Sequence, residues 1–302
     1  MKDISWKIKT LRIATAQAVV KVGNLGMEAI NNKTVPKGDP FEISKIAGML
    51  AVKNTAGVIP HCHPMPTENT DIDFEINENE ITIKLSVTTI YKTGCEIEAI
   101  YGVTTTAVTL YDLLKPVETE LEITDIKLLE KRGGKSDFLK DIEPNLKATV
   151  IVMSDSISAG KKHDKSGKAI VSKLEECGVS NINYHIIPDE KQELQKLVNL
   201  SLEKESKLII TTGGTGLSSR DITPESLRPM LDIEIPGIME ATRSYGQERT
   251  PYSMLSRGVA GLINDALILA LPGSTRGATE SMDALFPYIL HIYRVIKGRR
   301  HD

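Results

Sequence analysis

Hydrophobic and polar residues follow two different rhythms along this chain. In the first part, DIDFEIN (71–77) and ITIKLSVTTI (81–90) alternate apolar and polar positions, and Asn77, Glu78 and Asn79 lie between them. Strict alternation across a polar turn predicts an antiparallel hairpin with one buried face. Before it, ISKIAGMLAVKNTA (43–56) sets Ile43, Ile46, Ala47 and Leu50 at helical spacing. After it, EIEAIYGVTTTAVTLYDLLK (96–115) does the same with Ile97, Ile100, Tyr101, Val108, Tyr111 and Leu114, and LEITDIKLLE (121–130) reads as another strand. Strands and helices without regular alternation give an α+β pattern.

The second part repeats strand and helix in turn. ATVIVMS (148–154) is an unbroken apolar run, as in a strand covered on both faces. A helix over Ser166–Cys177, a strand at NINYHII (181–187), a helix from Lys191 and a strand at LIITTGG (208–214) follow. ALILALPGS (266–274) and an amphipathic segment running to Lys297 close the chain. This rhythm predicts an α/β, doubly wound parallel sheet.

A length of 302 residues fits about two domains. KRGGKSDFLKDIEPNLK (131–147), polar with two glycines and a proline, is the natural linker. The expected domains are 1–140 and 146–302, with the boundary near Asp141–Asn145. A formal net charge of −3, with basic residues scattered, argues against a nucleic-acid partner. Three cysteines without a CxxC fit a reducing compartment rather than a disulfide framework. The start of the chain lacks the apolar stretch of a signal peptide, and no run approaches the ~18 apolar residues of a membrane span. A cytoplasmic protein without a membrane partner is expected.

Candidate chemistry in the second part gathers where strands end, the usual ligand edge of such sheets. Ser154 and Asp155 follow one strand, Asp189 the next, Gly213, Gly214 and Gly216 the third, and Ser274 the last. Glycines let amides approach phosphate oxygens closely. Asp221 precedes an expected helix with Thr223 as its N-cap and Pro224 in its first turn. It is either a magnesium ligand beside nucleotide phosphates or only a helix cap. VIVMSD, IIPDE, TTGGTGLSSRDITPE, EIPGIME, MLSRGVAG and ALILALPGS occur in the order found in the MoaB/MogA family, which residues 147–297 resemble. The resemblance implies molybdopterin binding and, in active members, transfer of AMP from Mg-ATP to the pterin phosphate. It implies Asp189 and Asp221 as functional aspartates, the three glycines as a phosphate cradle, and Asp155, Glu240 and Ser274 as ligand contacts. Family members often have arginine where this chain has Ser156.

In the first part, His61, Cys62 and His63 within a Pro-bounded turn have the composition of a zinc site. Adjacent residues rarely chelate one ion together, and no second pair exists at ligand spacing. Asp112 and Lys115 share a helix face, next to the apolar Tyr111, so the pair is expected near buried surface, where the lysine pKa falls. Basic, glycine-adjacent loops at Lys37 and at Lys131–Lys135 suit an anionic substrate. DISxKxxTxRxA (3–14), KGDPF (37–41), IAG (46–48), IPHCHP (59–64), KTGCEIEA (92–99), TLYDLLK (109–115) and LLEKRGGKS (128–136) together resemble the cyclic pyranopterin monophosphate synthase family, MoaC. The resemblance implies conversion of a cyclised dihydro-GTP to cyclic pyranopterin monophosphate and pyrophosphate, with no redox cofactor. It implies Asp112 and Lys115 as the acid–base pair and Lys131 as a further catalytic lysine. Arg12, Lys37, Lys53 and His63 would hold the triphosphate or pterin, with His61, Cys62, Glu96, Ile97 and Glu98 lining the pocket and Lys135 on a closing loop. His61 stands where the family usually has leucine.

The two resemblances together imply a bifunctional enzyme whose substrates are cyclised dihydro-GTP, molybdopterin and ATP, with Mg²⁺ accompanying ATP. The rival is a synthase fused to a non-catalytic pterin-binding module. Both families are built around three-fold axes, which implies a homo-oligomer with three-fold symmetry, a hexamer above all.

Overall fold

A computed structural model of the chain describes residues 1–138 and 145–298. Most of the segment expected to hold the domain boundary, and Arg299–Asp302, lie outside the described residues. The chain divides into two compact units, Met1–Asp137 and Phe138–Asp302. Among the described residues no helix is long and apolar enough to cross a membrane.

The first unit runs β1 (Thr10–Val22), α1 (Asn24–Asn31), α2 (Pro40–Val58), β2 (Asn69–Ile76), β3 (Glu80–Tyr91), α3 (Glu96–Leu114) and β4 (Leu121–Arg132), followed by a helical turn, α4 (Lys135–Phe138). Its sheet has the order β2-β3-β1-β4, antiparallel throughout. This is the ferredoxin-like β-α-β-β-α-β arrangement, with α1 and α2 together in the first crossover. The central strand, β1, is absent from the pattern reading. Its inward positions include Ala14, Ala16 and Ala18, all fully buried. Alanine carries little β preference, so the period-2 signal is weak in sequence.

Asp39 begins α2 by accepting from the amides of Phe41 and Glu42, and Pro40 occupies its first turn. α2 packs antiparallel on α3 through small residues. A Cβ on Gly48 would strike Thr106, and one on Gly102 would lie 2.6 Å from a Val52 methyl. The face of α2 turned inward is therefore Ser44, Gly48, Ala51, Val52 and Thr55. The apolar stripe that marked the helix points outward instead: Ile46 is 58% exposed and Leu50 55%.

The second unit runs β5 (Lys147–Met153), α5 (Asp155–Ser158), α6 (Ser166–Glu176), β6 (Asn181–Ile187), α7 (Lys191–Glu203), β7 (Leu208–Thr212), α8 (Thr223–Leu227), β8 (Ile233–Glu234), α9 (Pro236–Gln247), β9 (Ala260–Ile263), β10 (Ala266–Leu271), α10 (Thr275–Leu285) and α11 (Ile292–Ile296). The sheet order is β6-β5-β7-β10-β9-β8. The first four strands are parallel, and β9 and β8 add an antiparallel edge. β7 and β10 are buried along their whole length, so helices cover both faces. α10 contacts α6 and α9, while α7 contacts α8. β6 and β7 leave β5 on opposite sides, so the topological switch point lies between β5 and β7.

Candidate functional sites

At the switch point the carboxyl ends of four strands converge. Gly213 and Gly214 follow β7 with φ of +105° and +62°, backbone that favours glycine. The Gly213 amide donates to the Leu271 oxygen, and a Cβ on Gly273 would sit 2.9 Å from the Cα of Gly213. The loop is thereby wedged between β5 and the turn after β10. Thr223 does not cap α8 with its side chain, as its sequence position had indicated. Its hydroxyl donates to the Gly213 oxygen at 2.9 Å and its amide to the Gly214 oxygen at 3.0 Å, closing the glycine loop.

Asp155 and Asp189 are tied reciprocally. The Asp155 amide donates to Asp189 Oδ2, and the Asp189 amide to Asp155 Oδ1, both at 3.0 Å. Burial pushes the Asp189 carboxyl above the usual aspartate range, and the charges of Asp155 and Asp221 add to the rise. At Asp221 burial also pulls upward but is outweighed by hydrogen bonds from Ser218 and Gly216, so its pKa is lowered. The Ser218 amide donates to Asp221 Oδ2 at 2.8 Å. Positions a Cβ would take on Gly214 and Gly216 lie 3.5 Å from Asp189 Oδ1 and 2.9 Å from Asp221 Oδ2. Both carboxylates therefore border the glycine loop, an oxygen-only donor set that fits a hard divalent cation. Among the described residues no group of three or more His, Cys, Asp or Glu is arranged around a metal position, His61-Cys62-His63 included.

Two arginines without an assigned role in the sequence reading complete this edge. Arg257 donates to the main-chain oxygens of Gly216 and Asp221 and pairs with Glu225, bracing the loop. Arg220 grips Asp155 and Glu190. The signal for both was their place inside the quoted motifs TTGGTGLSSRDITPE and MLSRGVAG. Ser274 caps α10 through the Gly277 amide and borders a cavity of about 280 Å³ with Arg243, Tyr252, Ser256 and Arg276. Glu240 lies exposed on α9.

In the first unit the structure separates the residues named from sequence into two groups at opposite ends of α3. At its C-terminal end, Asp112 accepts from Lys115 at 2.7 Å and from Lys37 at 2.7 Å, and Lys37 also reaches the Asp112 main-chain oxygen. The pair is not at buried surface: the side chains of Asp112 and Lys115 are 49% and 56% exposed. The hydrogen bond from Lys115, then that from Lys37, holds the Asp112 carboxyl at about 2. Lys115 is raised by the same bond, opposite to the fall expected of a buried lysine. The ion pair decides its state, because solvent removes the desolvation cost.

At the N-terminal end of α3, Lys131 pairs with Glu96 at 3.2 Å. Glu98 is buried, and burial raises its carboxyl. Burial and the Glu98 charge raise the Cys62 thiol. His63 donates through Nε2 to the Lys2 oxygen at 2.9 Å. Arg12 on β1 is 8% exposed, and its Nε has no hydrogen-bond partner among the described residues. An orphaned buried guanidinium nitrogen is costly unless a ligand satisfies it. Ile97 and His61 are exposed, as is Lys53 near the C-terminal end of α2, and Lys135 opens α4. Glu96 and Asp112 are separated by sixteen residues of helix, about 24 Å.

The MoaC family model matches residues 1–134, and that for a "Probable molybdopterin binding domain" matches residues 149–291. The "Molybdenum cofactor biosynthesis bifunctional protein" of Chlorobaculum tepidum is 36% identical over 301 residues, covering 100% of this chain and 96% of its own. The chain belongs to the family of bifunctional molybdenum cofactor biosynthesis proteins. In this chain the MoaC match comes first and the molybdopterin-binding match second. A "Cyclic pyranopterin monophosphate synthase" of Clostridium perfringens is 43% identical over 138 residues, covering 45% of this chain and 87% of its own. The solved MoaB of Thermus thermophilus is 38% identical, covers 52% of this chain and 99% of its own, and superposes with a TM-score of 0.48.

Proposed function

We propose that the first unit converts a cyclised dihydro-GTP to cyclic pyranopterin monophosphate and pyrophosphate, and that the second adenylylates molybdopterin with Mg-ATP. The observation that carries the first half of this reading is the Lys37–Asp112–Lys115 cluster. It offers an ionised carboxylate as base and a protonated lysine as acid within one hydrogen-bonded group. Lys37, Lys131 and the orphaned Arg12 supply cationic donors for a departing pyrophosphate.

In the second unit the bordering aspartates and the glycine loop support attack of the pterin phosphate on the α-phosphate of ATP, with pyrophosphate leaving. Asp189 and Asp221 would hold the magnesium ion, and the loop amides would face the phosphates. A magnesium ion there would neutralise triphosphate charge. One observation favours the rival pterin-binding module: Asp221 already accepts from the Ser218 amide, a structural use. Assay of both reactions on the purified full chain decides. Pterin binding without Mg-ATP turnover establishes the module; turnover establishes the transferase. On either reading the protein would work in the cytoplasm.

The two groups at the ends of α3 lie too far apart to serve one substrate in one subunit. They support a site completed by a second copy, in a homo-oligomer with three-fold symmetry, a hexamer. Outward apolar residues on α2 and α3, Ile46, Leu50, Val108 and Tyr111, give such an assembly surface to bury. Light scattering coupled to size exclusion tests it, and a fully active monomer would end it.

A further inference from the structure

Arg220 stands between the glycine loop and Asp221, yet adenylyl transfer as outlined above leaves it no task. Its guanidinium forks onto Asp155, with Nε to Oδ2 at 3.1 Å and Nη2 to Oδ1 and Oδ2 at 3.0 and 2.8 Å. It also reaches Glu190 Oε1 through Nη1 and Nη2 at 3.3 and 3.2 Å. The carboxylate it grips is locked to Asp189 by the reciprocal backbone bonds. One guanidinium thus supplies the positive charge for Asp155, Glu190 and the neighbouring Asp189. Without it, a polyphosphate entering here would meet the uncompensated charge of these three carboxylates, beside the loop amides and Arg257.

The grip is strong in geometry and weak in free energy. The side chains of Arg220, Asp155 and Glu190 are each half or more exposed. Exposed pairs of this kind contribute little to stability. A guanidinium fork matches phosphate oxygens as well as it matches carboxylate, and the fork geometry is one that lysine lacks. Exchange of partners therefore costs little.

We propose that Arg220 is a triphosphate-receiving residue that exchanges partners. Without nucleotide it is a tethered counter-cation on Asp155 and Glu190 and keeps free divalent cations from the aspartates. When the metal nucleotide enters, the guanidinium moves onto its phosphates, and the metal's charge replaces it at the carboxylates. This rests on the adenylyl-transfer reading of the second unit.

Arg220→Ala and Arg220→Lys in the full chain test it, with thermal unfolding as the check on folding. Two affinities are read without pterin: Mn²⁺ alone, by electron paramagnetic resonance, and a non-hydrolysable ATP analogue with Mg²⁺, by calorimetry. Arg220→Ala should bind Mn²⁺ several-fold more tightly and the analogue about tenfold more weakly, the size of one charge-assisted contact. Arg220→Lys should restore the weak Mn²⁺ binding but only part of the nucleotide affinity. Loss of both affinities in the alanine variant would mean a merely structural arginine and overturn the exchange, as would unchanged nucleotide binding. A wild type that binds no analogue would instead remove the adenylyl-transfer reading and with it the phosphate-receiving role; the Mn²⁺ difference would then report on the counter-cation role by itself.

Discussion

The candidate sites of the two units carry opposite charge. In the first, one carboxylate, Asp112, is held by two lysines, so the cluster is net cationic. In the second, one guanidinium, Arg220, is held by two carboxylates, with Asp189 and Asp221 close by. That cluster is net anionic, and on the proposed reading a cation would accompany its substrate. The supporting elements differ accordingly. The lysine cluster hangs on a helix end and a loop, exposed in the single chain, whereas the aspartates are fixed by backbone amides at strand ends. On the proposed reading, the first arrangement leaves room for another subunit to finish the site.

The largest effects should separate the two chemistries. Asp112→Asn and Lys115→Ala should each lower pyranopterin formation by about 10³-fold, within the range of general acid–base loss. Adenylylation by the same chain should not change. Parallel assays of both reactions on each variant read this, and near-normal synthase turnover in a folded variant would break the assignment. Asp221→Asn should do the reverse, costing about 10²-fold in Mg-ATP-dependent turnover through loss of an anionic oxygen. The amide can still accept from Ser218, so pterin affinity measured by calorimetry should hold. Equal loss of both would return Asp221 to a purely structural role.

What the sequence made legible differs between the units for a physical reason. β5 and β10 are buried on both faces, so their apolar runs stand out, and the motifs lie at their ends where the fold places ligands. β1 hides in alanines, and α2 misleads because the residues that announce it, Ile46 and Leu50, face away from the unit's own core. Its true inner face, Ser44, Gly48, Ala51, Val52 and Thr55, carries only a weak hydrophobic signal. Asp112 and Lys115 were legible as a pair from i, i+3 spacing, but their exposure was not, since Tyr111 beside them is itself 36% exposed. Arg220 was readable as a residue and not as a partner: Asp155 lies 65 positions away, and only the strand order brings them together.

A smaller effect tests whether the second site is as rigid as its backbone ties imply. Gly213→Ala places a methyl against the Met153 oxygen at φ +105°. Left-handed backbone at a non-glycine residue costs about 1–3 kcal/mol, before the clash is counted. Calorimetry should show the transition of the second unit falling by several degrees while that of the first stays fixed. A fall in both transitions would show the units to be thermodynamically coupled.

The smallest difference is in acid. Burial raises Asp189 above the usual aspartate range while Asp221 is lowered, so Asp189 takes up its proton at higher pH than Asp221, and cation binding at the second site should weaken as it does. Asp112 behaves oppositely. Its folded carboxyl, at about 2, lies below an unfolded value near 3.9. Its favourable contribution is therefore present above pH ~4 and lost only as pH falls through about 2. Because the pair is exposed, solvent screening makes the change in stability slight, and the titration itself is the better observable. Carbon-detected NMR of the side-chain carboxyl should find Asp112 still ionised at pH 3. Removing Lys115 as Lys115→Met should move that midpoint upward more than Lys37→Met does, since the Lys115 bond is the larger cause. A wild-type midpoint at the ordinary aspartate value would mean that the two lysines do not hold the carboxylate in solution, and the contrast between a cation-held and an anion-held site would fail at its first member.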